Sequence, residues 1–363
     1  MASIIPEEIM VDILSRLPAK SLLRFRCVCK SWYTLLHRPS FIQIHLNRAV
    51  ETENDRKIIL TCSGTRSLYS VDYDACDKAV LLKHPLGKSV VELLGSCNGL
   101  LCTKASDTGD MFIWNPSTGE YNIVPKTDTK PWNDSEVWRL AVFGFAFDPM
   151  IHDYKLVKIV SIYKADIHFC ESEVEVYTLG SNSWRRIPHI PFKIFGYYAG
   201  VLVNGALHWM ASNGSSELIA SFDAITEECR EIPKPQSASE QLFNLGVLGG
   251  CLCVSTAHGV GVMIELWMMK DYGVGESWTK IFTILQPMRT TPLRYLKPLG
   301  YMKNDEILVE RGDGKLVLYN PIAATIRDLC IQGISATWFN TEILVGSLVS
   351  LYTQNGVDGQ QQA

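Results

Sequence analysis

The chain has 363 residues, a formal net charge of -4 and 47% apolar residues. That length supports a large core and two domains, and the apolar share is ordinary for a globular protein. The slight acidity argues against general nucleic-acid or membrane-surface binding.

The first predicted elements lie at the extreme N-terminus, in IPEEIMVDILSRLPAKSLLRFRCVCKSWYTLLHRPSFIQIHL from Ile5 to Leu46. Pro6 suits a first helical position, where its missing N–H costs nothing. Glu7 and Glu8 follow, and acids favour the positive end of the helix dipole. Ile9, Ile13 and Leu17 recur every four residues with Met10 and Leu14 beside them, so the spacing predicts one broad apolar face. Pro18 ends this helix. Ser21 is the expected N-cap of a second helix carrying Leu22, Leu23, Phe25, Val28 and Cys29, with Trp32, Leu35 and Leu36 continuing the period. Pro39 breaks the pattern, and Phe41, Ile42, Ile44 and Leu46 form a last short helix or turn. A helical module of this size is marginal alone. Part of its apolar face should be covered by the rest of the chain or by a partner.

These residues resemble an F-box, the adaptor-binding motif of SCF ubiquitin ligases: IPEEIMVDILSRLP, then KSLLRFRCVCKSW, then PSFI, with no insertion. F-boxes bind a Skp-type adaptor, and through it a cullin–RING ligase, by laying apolar helix faces into a groove. The resemblance implies that Pro6, Ile9, Ile13, Leu14, Leu17, Pro18, Leu22, Leu23, Val28, Cys29 and Trp32 lie in or just under the adaptor interface. The competing reading of each is a place in the module's own core. Lys20, Arg24, Arg26, Lys30 and Arg38 carry positive charge with no acid among them. A basic, aromatic-bearing helix can signal nucleic acid. The slightly acidic chain speaks against that, leaving a solvated face or steering toward an acidic adaptor surface.

Residues 47–57 (NRAVETENDRK) are polar and read as a linker or the end of the helical module, after an F-box of residues 1–46. From residue 58 a unit recurs: a strand, a turn, a second strand, then a polar or Pro-bearing corner. Its examples begin at Ser67, Met111, Val174, Leu218, Met263 and Lys315, with turns at Asp72, Asn115, Thr178, Asp223, Met268 and Asn320. Four of the five separations fall near the ~40–50 residues of a four-stranded propeller blade. Apolar pairs such as GSCNGLLCT, VLVNGALHWMA and LGVLGGCLCVS precede the units, with glycines placed for tight φ > 0 turns. The fold class predicted is a small all-α module followed by an all-β, six-unit propeller-like domain over residues 58–353. TWFNTEILVGSLVSL is the candidate for a strand lent back to the first blade, and residues 354–363 read as a disordered tail. The uncharged run from Leu242 to Ile264 has the length of a membrane span, but Gly246, Gly249, Gly250, Gly259 and Gly261 suit two buried strands and a turn better.

The second domain resembles the kelch-like F-box-associated domain of plant F-box proteins. The motifs are CNGLLC with WNPSTGEY, FGFAFDP followed by DYKLVKI, VEVYTLGSNSWRRIP, VNGALHW, SFDAITEECREIP and WMMKDYGVGESWTKIF. It is similar to the branch that holds the S-locus F-box pollen proteins and F-box proteins controlling immune-receptor levels. Trp114, Trp184, Trp209, Trp267 and Trp278 are expected to fill blades rather than touch a target.

The resemblance implies a non-enzymatic SCF subunit that recruits a target protein for ubiquitination and proteasomal degradation. Two segments rich in aromatics are the candidate target-binding loops: residues 126–138 with Trp132 and Trp138, and residues 187–198 with Phe192, Phe195, Tyr197 and Tyr198. Aromatics of this kind are enriched in hot spots, though they also cap blades. The alternative is a propeller hydrolase or ligand-binding protein whose N-terminal helices are only structural. Against it, the sequence holds no GxSxG, Walker A or GxGxxG motif, and its acid pairs, Asp148 with Asp153 and Glu227 with Glu228, fall in turn patterns.

No cofactor or metal is expected. The eleven cysteines are scattered, and the close pairs Cys27/Cys29 and Cys251/Cys253 have a single residue between them, which is no zinc framework. None of the eight histidines forms an HExxH pattern. The N-terminus has no basic stretch before Glu7, so no signal peptide is expected. Reduced thiols in the cytoplasm or nucleus are the expectation, with no nucleic acid and no membrane among the partners.

Overall fold

The computed structural model describes residues 6–62, 67–85, 87, 90–127, 137–164, 169–194, 199–236, 241–258, 263–285, 296–312, 314–334 and 339–351. The chain opens with four helices: α1 (Glu7–Leu14), α2 (Ala19–Phe25), α3 (Lys30–His37) and α4 (Pro39–Glu51). Pro6 and Pro18 stand as the caps before α1 and α2, both in an extended conformation. The second helix therefore starts at Ala19 rather than behind a Ser21 cap. Its first N–H finds a distant acceptor instead, the Asp55 Oδ2 at 3.0 Å. The run through Trp32 is also two helices, because Cys29 is extended (φ −161°, ψ 165°). Cys27, Val28 and Cys29 are weak helix formers, so a break there is cheap.

Helix α4 continues to Glu51, so the first part of the 47–57 segment is helix rather than linker. Its inward face is fixed at two points. His45 Nε2 donates to Leu17 O at 2.9 Å, and Arg48 donates to Asp12 O, Ser15 Oγ and Asp12 Oδ1 at 2.6–2.9 Å. A guanidinium at the last carbonyls of α1 suits the negative end of that helix.

Six antiparallel sheets follow. Blade 2 holds strands Val91–Cys97, Leu100–Ala105, Met111–Trp114 and Tyr121–Val124; blade 3 holds Val137–Asp148, Asp153–Lys164, Phe169–Thr178 and Ser183–Ile190. Blade 4 is built from Lys193–Ile194 and Val201–Val203, which both pair with Ala206–Ser212, then Glu217–Asp223 and Cys229–Ile232. Blade 5 holds Gln241–Leu248, Cys251–His258, Met263–Met269 and Trp278–Leu285; blade 6 holds Leu296–Tyr301, Ile307–Arg311, Lys315–Asn320 and Thr325–Asp328. Blade 1 is composite. Arg56–Cys62, Ser67–Asp72 and Ala79–Leu81 come from its own stretch, and Phe339–Val345 returns from the far end of the sequence to pair with Arg56–Cys62. The six-bladed propeller and its borrowed strand are as the repeat and TWFNTEILVGSLVSL predict.

Apolar clusters fill the seams between neighbouring blades. Trp209, Leu207 and Phe222 join blades 3 and 4, and Phe282, Tyr319 and Val309 join blades 5 and 6. Trp114, Trp209, Trp267 and Trp278 are buried and Trp184 is partly buried, as expected of blade-filling residues. The Trp209 indole occupies the space where a Cβ at Gly144 or Gly200 would stand, and its Nε1 donates to Phe143 O at 3.2 Å. The turns Asn98-Gly99, Asn204-Gly205 and Gly249-Gly250 have positive φ at both central residues, the twist that two-residue hairpins require.

Some polar groups are sealed into the seams. Lys155 of blade 3 contacts Asp148 (2.6 Å), Glu227 (2.8 Å) and the Ala224 carbonyl (2.7 Å) of blade 4. Burial raises Asp148, but the Lys155 ammonium outweighs it and holds the carboxyl below its usual range. His208, between blades 4 and 5, lies 3.1 Å from Val201 O through Nδ1 and 2.8 Å from the Tyr272 hydroxyl through Nε2. A neutral ring satisfies both contacts, with Nδ1–H donating and Nε2 accepting.

Burial pushes His208 down from 6.5 to about 4, and it pushes His45 and His84 down as well. The unfolded chain therefore takes up these protons at higher pH than the fold does. Stability should fall as pH drops from about 6.5 toward 4, with His208 alone costing about 2 kcal/mol at pH 5. Urea midpoints at pH 7 and pH 5 check this. The gap should narrow in His208→Gln, and an unchanged gap would contradict the assignment.

Candidate adaptor and target surfaces

The antiparallel strand order gives the propeller two unlike ends. At one end, strands are joined by tight connections such as 98–99, 204–205, 249–250 and 321–324. At the other lie strand ends that are further apart in sequence: Leu81 and Val91, Val124 and Val137, Ile232 and Gln241, Leu285 and Leu296, and Asp328 and Phe339. The helices attach at the tight-turn end, since Asp55 precedes the first strand of the ring there and Val345 ends the closing strand beside it.

The helical module divides the predicted adaptor residues by depth. Leu14 and Leu22 are buried in a core with Ala19, Leu35, Leu36 and Phe41. Leu17, Leu23 and Trp32 are partly buried against the same core, Trp32 edge-on to Phe25 at 5.5 Å between ring centres. Pro6, Pro18 and Cys29 are exposed. Ile9, Ile13 and Val28 are half or more exposed, at 50%, 51% and 60%. Ile9 and Ile13 share a helix face at i, i+4, so an apolar stripe faces out over a buried layer. Tyr33, Ile44 and Val50 on α3 and α4 are exposed too, which the sequence reading did not single out. Of the basic residues, Lys20, Arg24 and Lys30 are exposed, while Arg38 pairs with Glu7 and ties α1 to the start of α4.

Of the aromatic candidates, Trp138 is the second residue of the first strand of blade 3, and its side chain lies outside the described residues, as do Trp132, Phe195, Tyr197 and Tyr198. Phe192 is partly buried against the core shared by blades 3 and 4, and its carbonyl accepts from Ser172 Oγ at 2.9 Å. It thus takes part in the seam. Residues 128–136 fall in sequence between the last strand of blade 2 and the first of blade 3, and 195–198 between the two short strands of blade 4.

The acid pairs do structural work. Asp148 and Glu227 share Lys155, Asp153 Oδ2 accepts from Gly180 N at 2.8 Å, and Glu228 pairs with Arg230 at 2.6 Å. The channel mouth at the helical end forms a cavity of about 380 Å³ lined in part by Val50, Glu53, Arg56, Asn98, Lys297 and Glu342. Its charges are matched locally: Arg56 with Glu53 at 3.0 Å, and Lys297 with Glu342 at 3.6 Å and Thr341 O at 2.7 Å.

A helical module with an outward apolar stripe, fixed to one end of a six-bladed ring, defines the class of F-box receptors. Residues 3–43 match the F-box domain and residues 58–354 the F-box associated beta propeller domain. The chain is 33% identical to F-box protein CPR1 of Arabidopsis thaliana, over 95% of this chain and 88% of that one. It is 31% identical to F-box protein At3g07870 of the same plant, over 95% and 91%. It is 28% identical to the F-box/kelch-repeat protein At3g23880, also from Arabidopsis thaliana, over 87% of each. The chain belongs to the family of F-box proteins with an F-box associated β-propeller. Its general role is that of a substrate-recognition subunit of an SCF ubiquitin ligase, non-catalytic and joined through a Skp1-type adaptor.

The depth of burial separates neighbours in sequence. Leu14→Ala should cost about 2–5 kcal/mol by opening a core cavity. Ile13→Asp should stay within about 0.5 kcal/mol of wild type. Denaturant titrations of the two variants check the split, and equal losses would place Ile13 in the core.

Proposed function

We propose that Pro6, Ile9, Ile13, Pro18, Val28 and Cys29 form the adaptor contact, with Leu14, Leu17, Leu22, Leu23 and Trp32 supporting it from beneath. The observation that carries this is the exposure of Ile9 and Ile13 on one face of α1 and of Val28 before α3, apolar residues left in water beside a buried core. Such residues gain most when a partner removes them from water. The target protein is held by the segments 126–138, from the end of blade 2 to the start of blade 3, and 187–198, from the end of blade 3 into blade 4, which carry Trp132, Trp138, Phe195, Tyr197 and Tyr198, with Phe192 at the seam between blades 3 and 4. Connections on a rigid scaffold are where binding residues concentrate.

Ubiquitin transfer then belongs to the recruited conjugating enzyme, and this chain contributes tethering, which raises the effective concentration of target lysines. The target goes to proteasomal degradation. The complex works in the cytoplasm or nucleus, where the cullin–RING partner and reduced thiols belong together.

Two substitution sets test the two ends separately. Ile13→Asp with Val28→Asp should weaken binding to a Skp-type adaptor at least tenfold while the melting temperature holds. Wild-type affinity in that variant would remove the helices from the interface. Replacing residues 128–136 by a short Gly-Ser turn should leave adaptor binding intact and abolish co-purification of the ubiquitinated target. Retained target capture would move the site elsewhere on the ring.

A further inference from the structure

Among the described residues, one buried member of the F-box core comes from the far end of the propeller domain. Leu348, 1% exposed, sits among Leu14, Ala19, Leu22, Leu35, Leu36 and Phe41, although it follows the closing strand of the propeller. The segment 346–351 that carries it is held on both sides. Gly346 N donates to Asp55 O at 2.9 Å, and the same Asp55 accepts from Ala19 N at the start of α2. On the propeller side, Asn115 Nδ2 donates to Ser347 O at 3.1 Å and Val349 O at 2.8 Å. Leu351 N donates to Glu120 Oε2 at 3.1 Å, and its side chain enters the core between blades 2 and 3. Gly99 and Gly346 leave no room for a Cβ against Ser347 and Asp55, so the backbones here are in close approach. Asn115 is fully buried, and its Oδ1 accepts from Ser117 N at 2.8 Å. A buried amide satisfied on both sides is costly to disturb, because breaking one contact leaves polar groups unpaired.

We propose that segment 346–351 is a strap that makes the adaptor face depend on closure of the propeller, with Leu348 and Asn115 as its positioning residues. The inference rests on the adaptor-binding reading above and adds the means by which the two domains are coupled. Leu14 and Leu22, which share this cluster with Leu348, adjoin in sequence the exposed Ile13 and the partly buried Leu23. A ring that has not closed leaves Phe339–Val345 unpaired, the strap unplaced and the layer under the adaptor face incomplete. Linkage makes the coupling reciprocal, so a bound adaptor favours the closed ring by the same factor.

The test uses the full chain and purified Skp-type adaptor. Dissociation constants are measured at a temperature where circular dichroism shows wild type, Leu348→Ala and Asn115→Ala all folded. The expected result is at least a tenfold loss for Leu348→Ala and a smaller loss, about threefold or more, for Asn115→Ala, which lies in blade 2 away from the adaptor face. Wild-type affinity in both variants, with only their melting temperatures lowered, would overturn the strap. Asn115→Ala keeps the question answerable if Leu348→Ala does not fold. Native-state hydrogen exchange gives a readout that needs no adaptor. Amides of α3 and α4 and of strand Phe339–Val345 should open together in wild type, and independent opening would overturn the coupling. Failure of the wild-type chain to bind the adaptor would refute the adaptor reading alone, and the exchange result would then decide the strap.

Discussion

The pairing of Arg56–Cys62 with Phe339–Val345 is the constraint on which the rest of the structure depends. It joins segments far apart in the sequence, and among the described residues no other blade is built this way. Loop-closure entropy grows only slowly with length, so bringing such distant strands together is affordable once the intervening blades are formed. The same pairing sets Asp55 and Gly346 side by side at one face. The helices that precede it and the segment that follows it therefore meet there.

The helical module covers part of its apolar surface with the propeller's own Leu348 and leaves Ile9, Ile13 and Val28 in water. Cover from the chain and an open face for a partner are thus both present in one small module. Inside the ring, by contrast, charged groups such as Lys155, Asp148 and Glu227 meet one another directly. Removing one member of such a buried group strands the others, so these residues read as parts of the scaffold.

Much of this was legible in the sequence because the signals were periodic. The four-residue spacing of Ile9, Ile13 and Leu17, the recurring strand–turn units and the Asn-Gly turns are local patterns with local causes. The start of α2 was not legible, because its first N–H is satisfied by Asp55, far along the chain. The division of α2 from α3 at Cys29 was missed because apolar spacing runs on across a break that only backbone conformation reveals. Leu348 was read as part of a strand-like C-terminal stretch, and its sequence neighbours offer no hint that it leaves the sheet for a helical core. Asn115 was seen as a turn residue, which it is through Ser117 N, but its second role needs a partner far away in sequence.

The unlike ends of the ring also bear on how such a receptor can change. At the helical end, turns such as Asn98-Gly99 need positive φ, and Gly99 is pressed against Ser347, so an inserted residue there breaks both a hairpin and the seat of the strap. At the opposite end the connections are already long, and doubling such a loop adds only about 0.6 kcal/mol of closure entropy. Variation in length and composition can accumulate there without reaching the helices. One end of the molecule is therefore tolerant of change while the other is held to its present geometry.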